Sequence, residues 1–597
     1  MRPLRAISLL VVAWAATNCG PASHPGAVKS ERSLPGRSLQ LVQLVPQGGA
    51  PRSPLLGAMQ QELDRATTAF AAHPETPIHY LSYQIEDADV QVISASFGAL
   101  VASYRNRERN LDVSLRAGDP KLDSTHPLRD DGMFAMFRGY AQPIAIPIDD
   151  DLAAVRARIW NETEASYRSA AERLSKVRSE RLVKAAEEDS SDDFSAETPT
   201  TYLEAAAELT LDTQAWENQV RTYSALFRDY PAIHESEVAL HTLANTRYFI
   251  SSETSTLQTA RTQVTLSVSA STVATDGMRL ERYESFVASQ VAGLPDESVV
   301  GRAIRQLAAD LLALRNAPIA EPWSGPAILE GRAAAVFFHE IFGHRIEGHR
   351  QKIEGEGQTF ARKIGQRVMP EFISVFDDPT IARLNGIELN GSYRFDDEGV
   401  PAQRANLVDR GVLRGFLMSR SPTRGFTKSN GHGRREIGES VVARQGNLVV
   451  QPSRQISAAE LKQQLLTEIA RQKKPYGLRF RDISGGYTNT EREGPQTFKV
   501  LPLVVYRVYP DGREELVRGV DLEGTPLTVL SKILAAGDDF AVFNGTCGAE
   551  SGWVPVAAAS PSLLVEQIEV ARREKEQTRP PLLPAPPLVS PTLRSAQ

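Results

Sequence analysis

The chain has 597 residues, 41% of them hydrophobic and 23% charged, with a net charge of −6 at neutral pH. This composition is typical of a globular protein of about two to four domains. The acidic balance and the lack of a basic stripe with interleaved aromatic residues argue against a nucleic-acid-binding protein. We therefore expect no nucleic-acid partner.

Residues 1–19 have the pattern of an export signal. Arg2 and Arg5 precede the apolar run Ala6–Ala16, which is shorter than the roughly 20 residues of a membrane-spanning helix. Cys19 follows at the position where a bacterial lipoprotein carries its lipid, although Asn18 stands where a small residue is usual. We expect an exported protein, either periplasmic or tethered to the cell envelope through a lipidated Cys19.

The N-terminal half is predicted to be an α/β domain over residues 55–230, preceded by a flexible Pro/Gly/Ser-rich linker at 20–54. Alternating apolar residues predict strands at 79–85, 90–97, 99–104 and 111–115. A charged turn is predicted at Arg105–Asn110 and a long helix at Asp151–Ala185. An acidic, serine-rich flexible loop is predicted near residues 187–198.

A central region, residues 231–380, is predicted to contain strands, a helix at Val299–Leu314 and a second helix that starts near Ala333. Residues 381–571 are predicted to be a β-rich C-terminal domain with turn signals such as Asn385-Gly386, and residues 572–597 a disordered tail. The predicted fold class is α+β: an N-terminal α/β domain, then a β-rich catalytic half containing a buried His-Glu-x-x-x-His helix.

Residues 339–349 hold three of the ten histidines and two carboxylates, directly after the apolar run Ala333–Phe338. Neutral imidazoles are the commonest protein ligands of zinc, and a glutamate beside them is the usual general base. The apolar run predicts a buried helix that carries these groups into the interior. This combination indicates metal-assisted hydrolysis.

The spacing of the histidines leaves two interpretations open. His339 and His344 are five residues apart, which places them about 140° apart on an ideal α-helix, whereas the four-residue spacing of zinc proteases gives about 40°. Both can face one metal if a π-bulge widens the turn, and Gly343 tolerates such distortion best. On a regular helix His344 would instead be a core histidine held by Glu340 or Glu347.

Cys547 is one of only two cysteines, too few for a disulfide framework. It lies in the glycine-flanked segment Gly545–Gly548, where the backbone can approach another group closely. A buried cysteine is most often a small hydrophobic residue. As a thiolate it would be a third zinc ligand and would leave one coordination position open, which is the pattern of a catalytic site.

Two separated stretches resemble the TldD/PmbA family of metallopeptidases. One is His339-Glu340-x-x-Gly343-His344-x-x-Glu347-Gly348, and the other is Gly545-Thr546-Cys547-Gly548 followed by Val554-Pro555-Val556. The order of Phe376-Asp377-Asp378 and Arg434-Arg435 between them also fits. The resemblance extends from about Ile233 to the end of the cysteine loop.

The resemblance implies that His339, His344 and Cys547 bind Zn²⁺ and that Glu340 activates water for peptide-bond hydrolysis. It also implies a homodimer, or a heterodimer with a PmbA-like relative, that admits extended or unfolded peptides. Two further residues are expected near the metal. Glu347 would orient His344 or pair with Arg350, and His349 would be a spare ligand or a supporting group.

Several roles stay open. Four residues could stabilise the oxyanion on chemical grounds, namely His432, Arg434, Arg435 and Tyr487. The chain could also be a non-catalytic zinc-containing subunit of a peptidase complex. In a third interpretation the histidines belong to the core, and the protein is an envelope scaffold.

Overall fold

The computed structural model describes residues 39–128, 143–182, 189–353, 359–488, 490, 498–573 and 583. The protein has the predicted mixed α+β character, with more residues in strands than in helices. The predicted export signal and nearly all of the predicted tail lie outside the described residues. None of the helices in the described part of the chain combines the length and the apolar character needed to pass through a lipid bilayer.

The predicted linker is ordered in its second half. Strand β1 (Leu41–Gln43) pairs with the segment Ile381–Leu384, and Ser53 caps helix α1 (Pro54–Phe70) by accepting a hydrogen bond from the Leu55 amide. Residues 39–54 are therefore part of the folded protein, because their backbone groups find partners in the C-terminal half and in α1.

A large, mainly antiparallel sheet follows. Its strands are β2 (Ile78–Ser96), β3 (Ala99–Asp119), β4 (Leu122–Asp123), β5 (Ile144–Ala145), β6 (Thr201–Leu203), β7 (Glu235–Ser251), β8 (Thr256–Val273) and β9 (Arg279–Ala288). The order is β4-β3-β2-β7-β8-β6, with β5 beside β3 and β9 beside β8. The predicted boundary between residues 230 and 231 falls inside this sheet, because β7 pairs with β2 along its length.

The predicted charged turn at Arg105–Asn110 is wrong, because these residues lie inside β3. Arg105 forms an ion pair with Asp89 on β2 at 2.5 Å, and Arg107 and Arg109 pair with Asp87 at 2.9 and 2.6 Å. Opposite charges on neighbouring strands stabilise their pairing, so a charged segment can remain extended. The short strands predicted from the alternation are consequently joined into two long ones.

Four helices cover one face of this sheet. α1 and α2 (Leu152–Arg181) pack against one end of the long strands, and α3 (Thr213–Ala225) and α4 (Glu297–Asn316) against the other. The acidic loop predicted to be flexible is packed where it is described. Asp193 and Phe194 are buried, and the Asp193 carboxylate contacts His126 Nδ1 at 2.8 Å and Lys352 Nζ at 3.1 Å.

The C-terminal half contains two further large sheets. One consists of β10 (Trp323–Leu329), β19 (Gly477–Thr488), β20 (Phe498–Val508), β21 (Glu514–Val517), β22 (Val520–Gly524), β23 (Ile533–Ala536) and β26 (Leu563–Arg572). The other consists of β11 (Ile373–Asp377), β14 (Ala405–Asp409), β15 (Val412–Leu413), β18 (Asn447–Pro452), β24 (Ala541–Ala549) and β25 (Gly552–Ser560). Small pairings join β1, β12 (Ile381–Leu384) and β13 (Ile387–Glu388), and β16 (Gly433–Arg434) with β17 (Val442–Ala443).

Helix α5 (Gly331–Ile341) packs against strands of both C-terminal sheets. Its residues Ala333–Phe338 are all fully buried, which fits a stretch of helix that is apolar on every side. Helices α6 (Ala458–Arg471) and α7 (Pro526–Ser531) complete the half. The position of α5 between the sheets brings its C-terminal end to the hairpin β24–β25.

Candidate metal centre

His339 and Glu340 lie in the last turn of α5, and both side chains are buried. The α-helix ends at Ile341, and His344 lies in a separate 3₁₀ turn, Gly343–Ile346. The predicted His-Glu-x-x-x-His helix is therefore not one continuous α-helix, and the π-bulge considered for it is not observed. On an ideal α-helix the two histidines would point about 140° apart. The change to a tighter 3₁₀ turn reorients His344 relative to the α5 axis, so this angle no longer applies.

Gly343 is required by close packing. A Cβ atom at this position would overlap the side chain of Gln445, whose Nε2 donates to the His339 carbonyl at 3.3 Å. Gly343 does not have a positive φ, so its backbone conformation is open to other residues. The sequence analysis assigned Gly343 a conformational role, but the structure shows that it makes room for a neighbouring side chain.

His339, His344 and Cys547 converge. Their ligand atoms all lie within 4.8 Å of one another, and all three residues are buried. Cys547 Sγ is 3.3 Å from His344 Nε2, and the centroids of the two imidazole rings are 5.0 Å apart. Cys547 projects from β24, which pairs with β25 and packs against α5. The hairpin thus brings a sulfur atom to the end of α5.

Several buried polar atoms at this point have no hydrogen-bond partner among the described residues. They include both ring nitrogens of His339, Oε1 of Glu340 and Oε1 of Glu347. Leaving a buried polar group unsatisfied costs about 1–3 kcal/mol, so an orphaned imidazole in a packed interior indicates a ligand. Two imidazoles and one thiolate are a donor set that suits zinc. The residues present fit such an ion.

Glu340 lies beside this group of donors. Its Oε2 is 4.0 Å from His344 Nε2, and burial raises the pKa of its carboxyl, against the opposing effect of His339. A Cβ on Gly486 of β19 would approach Glu340 Cγ to 3.0 Å, so the strand backbone packs closely against the side chain. Glu340 is therefore a confined carboxyl group that can hold or release a proton.

Glu347 lies on the other side of His344. Its Oε1 is 3.3 Å from His344 Nδ1, and its Oε2 accepts from Arg350 Nε at 3.0 Å. Burial acts to raise the pKa of Glu347, but the neighbouring His344 and Arg350 hold it below its usual value. Glu347 therefore contacts both of the partners considered for it, His344 and Arg350, in the interior.

His349 is not one of the three converging donors, and its described contact is with another residue. Its Nε2 contacts Glu550 Oε1 at 2.5 Å, and Glu550 also accepts from Arg350 Nη2 at 2.8 Å. Glu550 follows β24, so this contact links the turn after α5 to the cysteine hairpin. The position supports the role of a supporting residue more than that of a spare ligand.

Three of the four residues considered for stabilising the oxyanion have other partners, and the fourth is exposed. Both nitrogens of His432 contact oxygen atoms, Arg434 donates from Nη1 to the carbonyls of Gln445 and Pro555, and Arg435 pairs with Asp112 at 2.7 Å. Tyr487 is 60% exposed. The contacts described for His432, Arg434 and Arg435 are thus made with groups other than His339, His344 and Cys547.

Sequence reasoning missed Arg444 and Gln445, which contact both sides of the site. Arg444 Nη2 donates to the Cys547 carbonyl at 2.8 Å, and Gln445 contacts the His339 carbonyl. No spacing rule marks these two residues, since their partners are more than a hundred positions away in the chain. The only available signal was a charged residue between the apolar stretches of β17 and β18.

Residues 323–572 match the family model of the PmbA/TldA metallopeptidase C-terminal domain. A metalloprotease of Methanothermobacter thermautotrophicus is 28% identical over 329 residues, which cover 54% of this chain and 66% of the relative. A metalloprotease TldD homolog of Buchnera aphidicola is 27% identical over 43% of this chain and 51% of its own length. A zinc metalloprotease TldD homolog of Saccharolobus solfataricus is 22% identical over 41% and 51%. The matched part thus spans about half to two thirds of these relatives.

Solved structures share the fold. A protein of Thermotoga maritima described as a candidate modulator of DNA gyrase superposes with a TM-score of 0.56 at 15% identity, covering 86% of this chain and 100% of that one. TldE from Thermococcus kodakarensis superposes with a TM-score of 0.54 at 12% identity, with the same coverage. At such identities the likeness concerns the fold alone.

The comparisons correct the prediction of a signal peptide, a lipoprotein and a periplasmic or lipid-anchored location. The similar proteins are archaeal and bacterial TldD-type metalloproteases, and none of those named above is described as exported. The predicted lipid tether at Cys19 has no support from them. What the comparisons confirm is the resemblance to the TldD/PmbA family carried by the histidine and cysteine motifs, since residues 323–572 match the family's C-terminal domain.

Proposed function

We propose that the chain is a zinc-dependent peptidase that hydrolyses extended or unfolded peptides. The observation that carries this proposal is the buried convergence of His339, His344 and Cys547 beside Glu340, with both nitrogens of His339 lacking a hydrogen-bond partner among the described residues. The relatives named metalloprotease support it, and one of them is named a zinc metalloprotease.

In this proposal His339, His344 and Cys547 hold the ion. When bound there, zinc would polarise the scissile carbonyl and make water a better nucleophile at neutral pH. Glu347 fixes the ring of His344 by accepting a hydrogen bond from Nδ1 on Oε2 at 3.4 Å, which leaves Nε2 available as the ligand atom. The ring of His344 is thus oriented by a contact on the side that faces away from the proposed ion.

Glu340 is the proposed general base. It would take the proton of the attacking water on a carboxylate oxygen and deliver it to the leaving amine. The close backbone of β19 at Gly486 restricts the side chain to a narrow range of positions, so little reorganisation is needed.

The assembly is also proposed. TldE and this chain share a fold, and we infer that the protein acts as a homodimer or pairs with a PmbA-like relative. An extended peptide would add to the exposed edge of a strand near the site, because the C-terminal half is built largely of sheets. Sedimentation of the purified protein alone and with such a relative distinguishes the two assemblies.

Zinc analysis combined with one substitution tests the function. The purified protein should contain about one equivalent of zinc, as a single three-ligand site requires. Glu340→Gln should keep this zinc, while cleavage of unfolded casein falls by about 100- to 10,000-fold, the usual contribution of a general base. Glu284→Gln is the matched control, because burial raises the pKa of Glu284 to about 7 at a position outside the site. This control should keep its activity.

Two results would contradict the proposal. Protein without zinc would favour the scaffold interpretation, in which the histidines are core residues. Zinc-containing protein whose casein cleavage is absent, or is unaffected by Glu340→Gln, would favour a non-catalytic zinc-containing subunit.

A further inference from the structure

Arg444 is a buried arginine that contacts both halves of the candidate metal centre. It follows β17, and only 1% of its surface is exposed. On one side its Nε is 3.5 Å from Glu347 Oε1. On the other side Nη2 donates to the Cys547 carbonyl at 2.8 Å, and Nη1 donates to Ser551 Oγ at 2.8 Å and to the Gly552 carbonyl at 3.1 Å.

Together with two further contacts, they form a closed ring of four residues: Glu347, His344, Cys547 and Arg444. Glu347 contacts His344 Nδ1 at 3.3 Å, and His344 Nε2 lies 3.3 Å from Cys547 Sγ. Arg444 completes this ring, because it contacts both Glu347 and the backbone carbonyl of Cys547. His344 and Cys547 are 203 positions apart in the chain, so their relative position depends on such tertiary contacts. Arg444 therefore lies where one side chain can control the distance between two proposed ligands.

We propose that Arg444 is a positioning residue for metal binding, which holds the Cys547 sulfur at the correct distance from His344. This inference rests on the proposed function only in requiring that the site binds a metal. The guanidinium suits the task because its planar fork makes several hydrogen bonds in fixed directions. A lysine would keep the positive charge but could not reach Glu347 and the hairpin together.

Cobalt(II) binding to metal-free protein tests the proposal, since the thiolate-to-cobalt absorption band reports the bond to Cys547 directly. Arg444→Lys and Arg444→Gln should weaken cobalt affinity by about 10- to 100-fold, the usual effect of removing an outer partner of a metal ligand. They should also lower the intensity of the band for each cobalt bound. A residue needed only for folding would leave the band of the folded, loaded protein unchanged.

Arg420→Lys is the matched control. Arg420 is also a buried arginine, 2% exposed, that contacts a carboxylate, Glu253, at 2.6 Å and a carbonyl, that of Ser195, at 3.0 Å. It lies outside the site. Its substitution should lower the melting temperature while cobalt affinity and the band stay as in the wild type.

Ser551→Ala covers the case in which the Arg444 variants do not fold. It removes only the contact between Ser551 Oγ and Arg444 Nη1, so we expect wild-type circular dichroism and a smaller loss of cobalt affinity. Folded Arg444 variants with wild-type affinity and band would overturn the inference, as would unfolded ones together with an unaffected Ser551→Ala. Wild-type protein that binds no cobalt would overturn both this inference and the proposed function.

Discussion

Two fully buried histidines in the C-terminal half have opposite surroundings. His432 is 0% exposed, and both of its ring nitrogens contact oxygen atoms: Nδ1 contacts Asn430 Oδ1 at 2.8 Å, and Nε2 contacts Asp377 Oδ1 at 3.3 Å. His339 is equally buried, yet neither nitrogen has a hydrogen-bond partner among the described residues. The first is a core histidine, whereas the second has the surroundings of a metal ligand.

This difference teaches that burial by itself does not identify a ligand. A buried imidazole costs little when oxygen atoms satisfy it, and such a residue serves packing. Only the missing partners of His339, together with a second imidazole and a sulfur atom within 4.8 Å, indicate an ion. Substitutions at the two histidines should therefore have different consequences.

The largest contrast is expected between His339→Ala and His432→Ala. His339→Ala should lower zinc content from about one equivalent to the background of a chelator-treated sample, because two ligands bind zinc far more weakly than three. Cys547→Ser should do the same. Zinc measured by atomic emission on protein of verified fold is the test.

His432→Ala should instead keep its zinc and lower the free energy of unfolding by about 1–3 kcal/mol, the cost of leaving buried partners unsatisfied. If His339→Ala and His432→Ala lost zinc equally, the assignment of one histidine as a ligand and the other as a core residue would be wrong.

Asp377→Asn should affect stability alone, to about the same extent as His432→Ala. The Asp377 carboxylate accepts from the amides of Gly446 and Asn447 as well as facing His432. In the variant, the NH2 group of the asparagine would face backbone N–H groups that now donate to the carboxylate. We therefore expect the free energy of unfolding, measured in urea, to fall by about 1.5–3 kcal/mol. Zinc content should remain that of the wild type, and its loss would mean that the His432 region supports the metal site.

Gly343→Ala should have the smallest effect. Its Cβ would overlap the end of the Gln445 side chain, which can move at a cost of about 1 kcal/mol. The double variant Gly343→Ala/Gln445→Ala should be more stable than Gly343→Ala, since the overlap is gone. If Gln445→Ala gives no relief, backbone conformation rather than packing explains this glycine.

Sequence periodicity predicted several elements well because local patterns specify them. The helix predicted at Val299–Leu314 is α4 with two residues more at each end, and the long helix predicted at Asp151–Ala185 corresponds to α2. Strand lengths were underestimated, since the charges at Arg105–Asn110 resemble a turn until their partners on β2 are known. Patterns within one segment cannot reveal partners on another strand.

By itself, the sequence determined which side chains could bind a metal, since the histidine motif and Cys547 carry that chemistry wherever they lie. It also determined the mixed α+β class through its alternating and helical patterns. Only the tertiary structure decided that α5 ends at Ile341, that Gly343 makes room for Gln445, and that Arg444 joins Glu347 to the cysteine hairpin. The physical reason is distance along the chain. Packing and hydrogen bonds between residues about a hundred or more positions apart depend on how the sheets stack, and no local pattern encodes that.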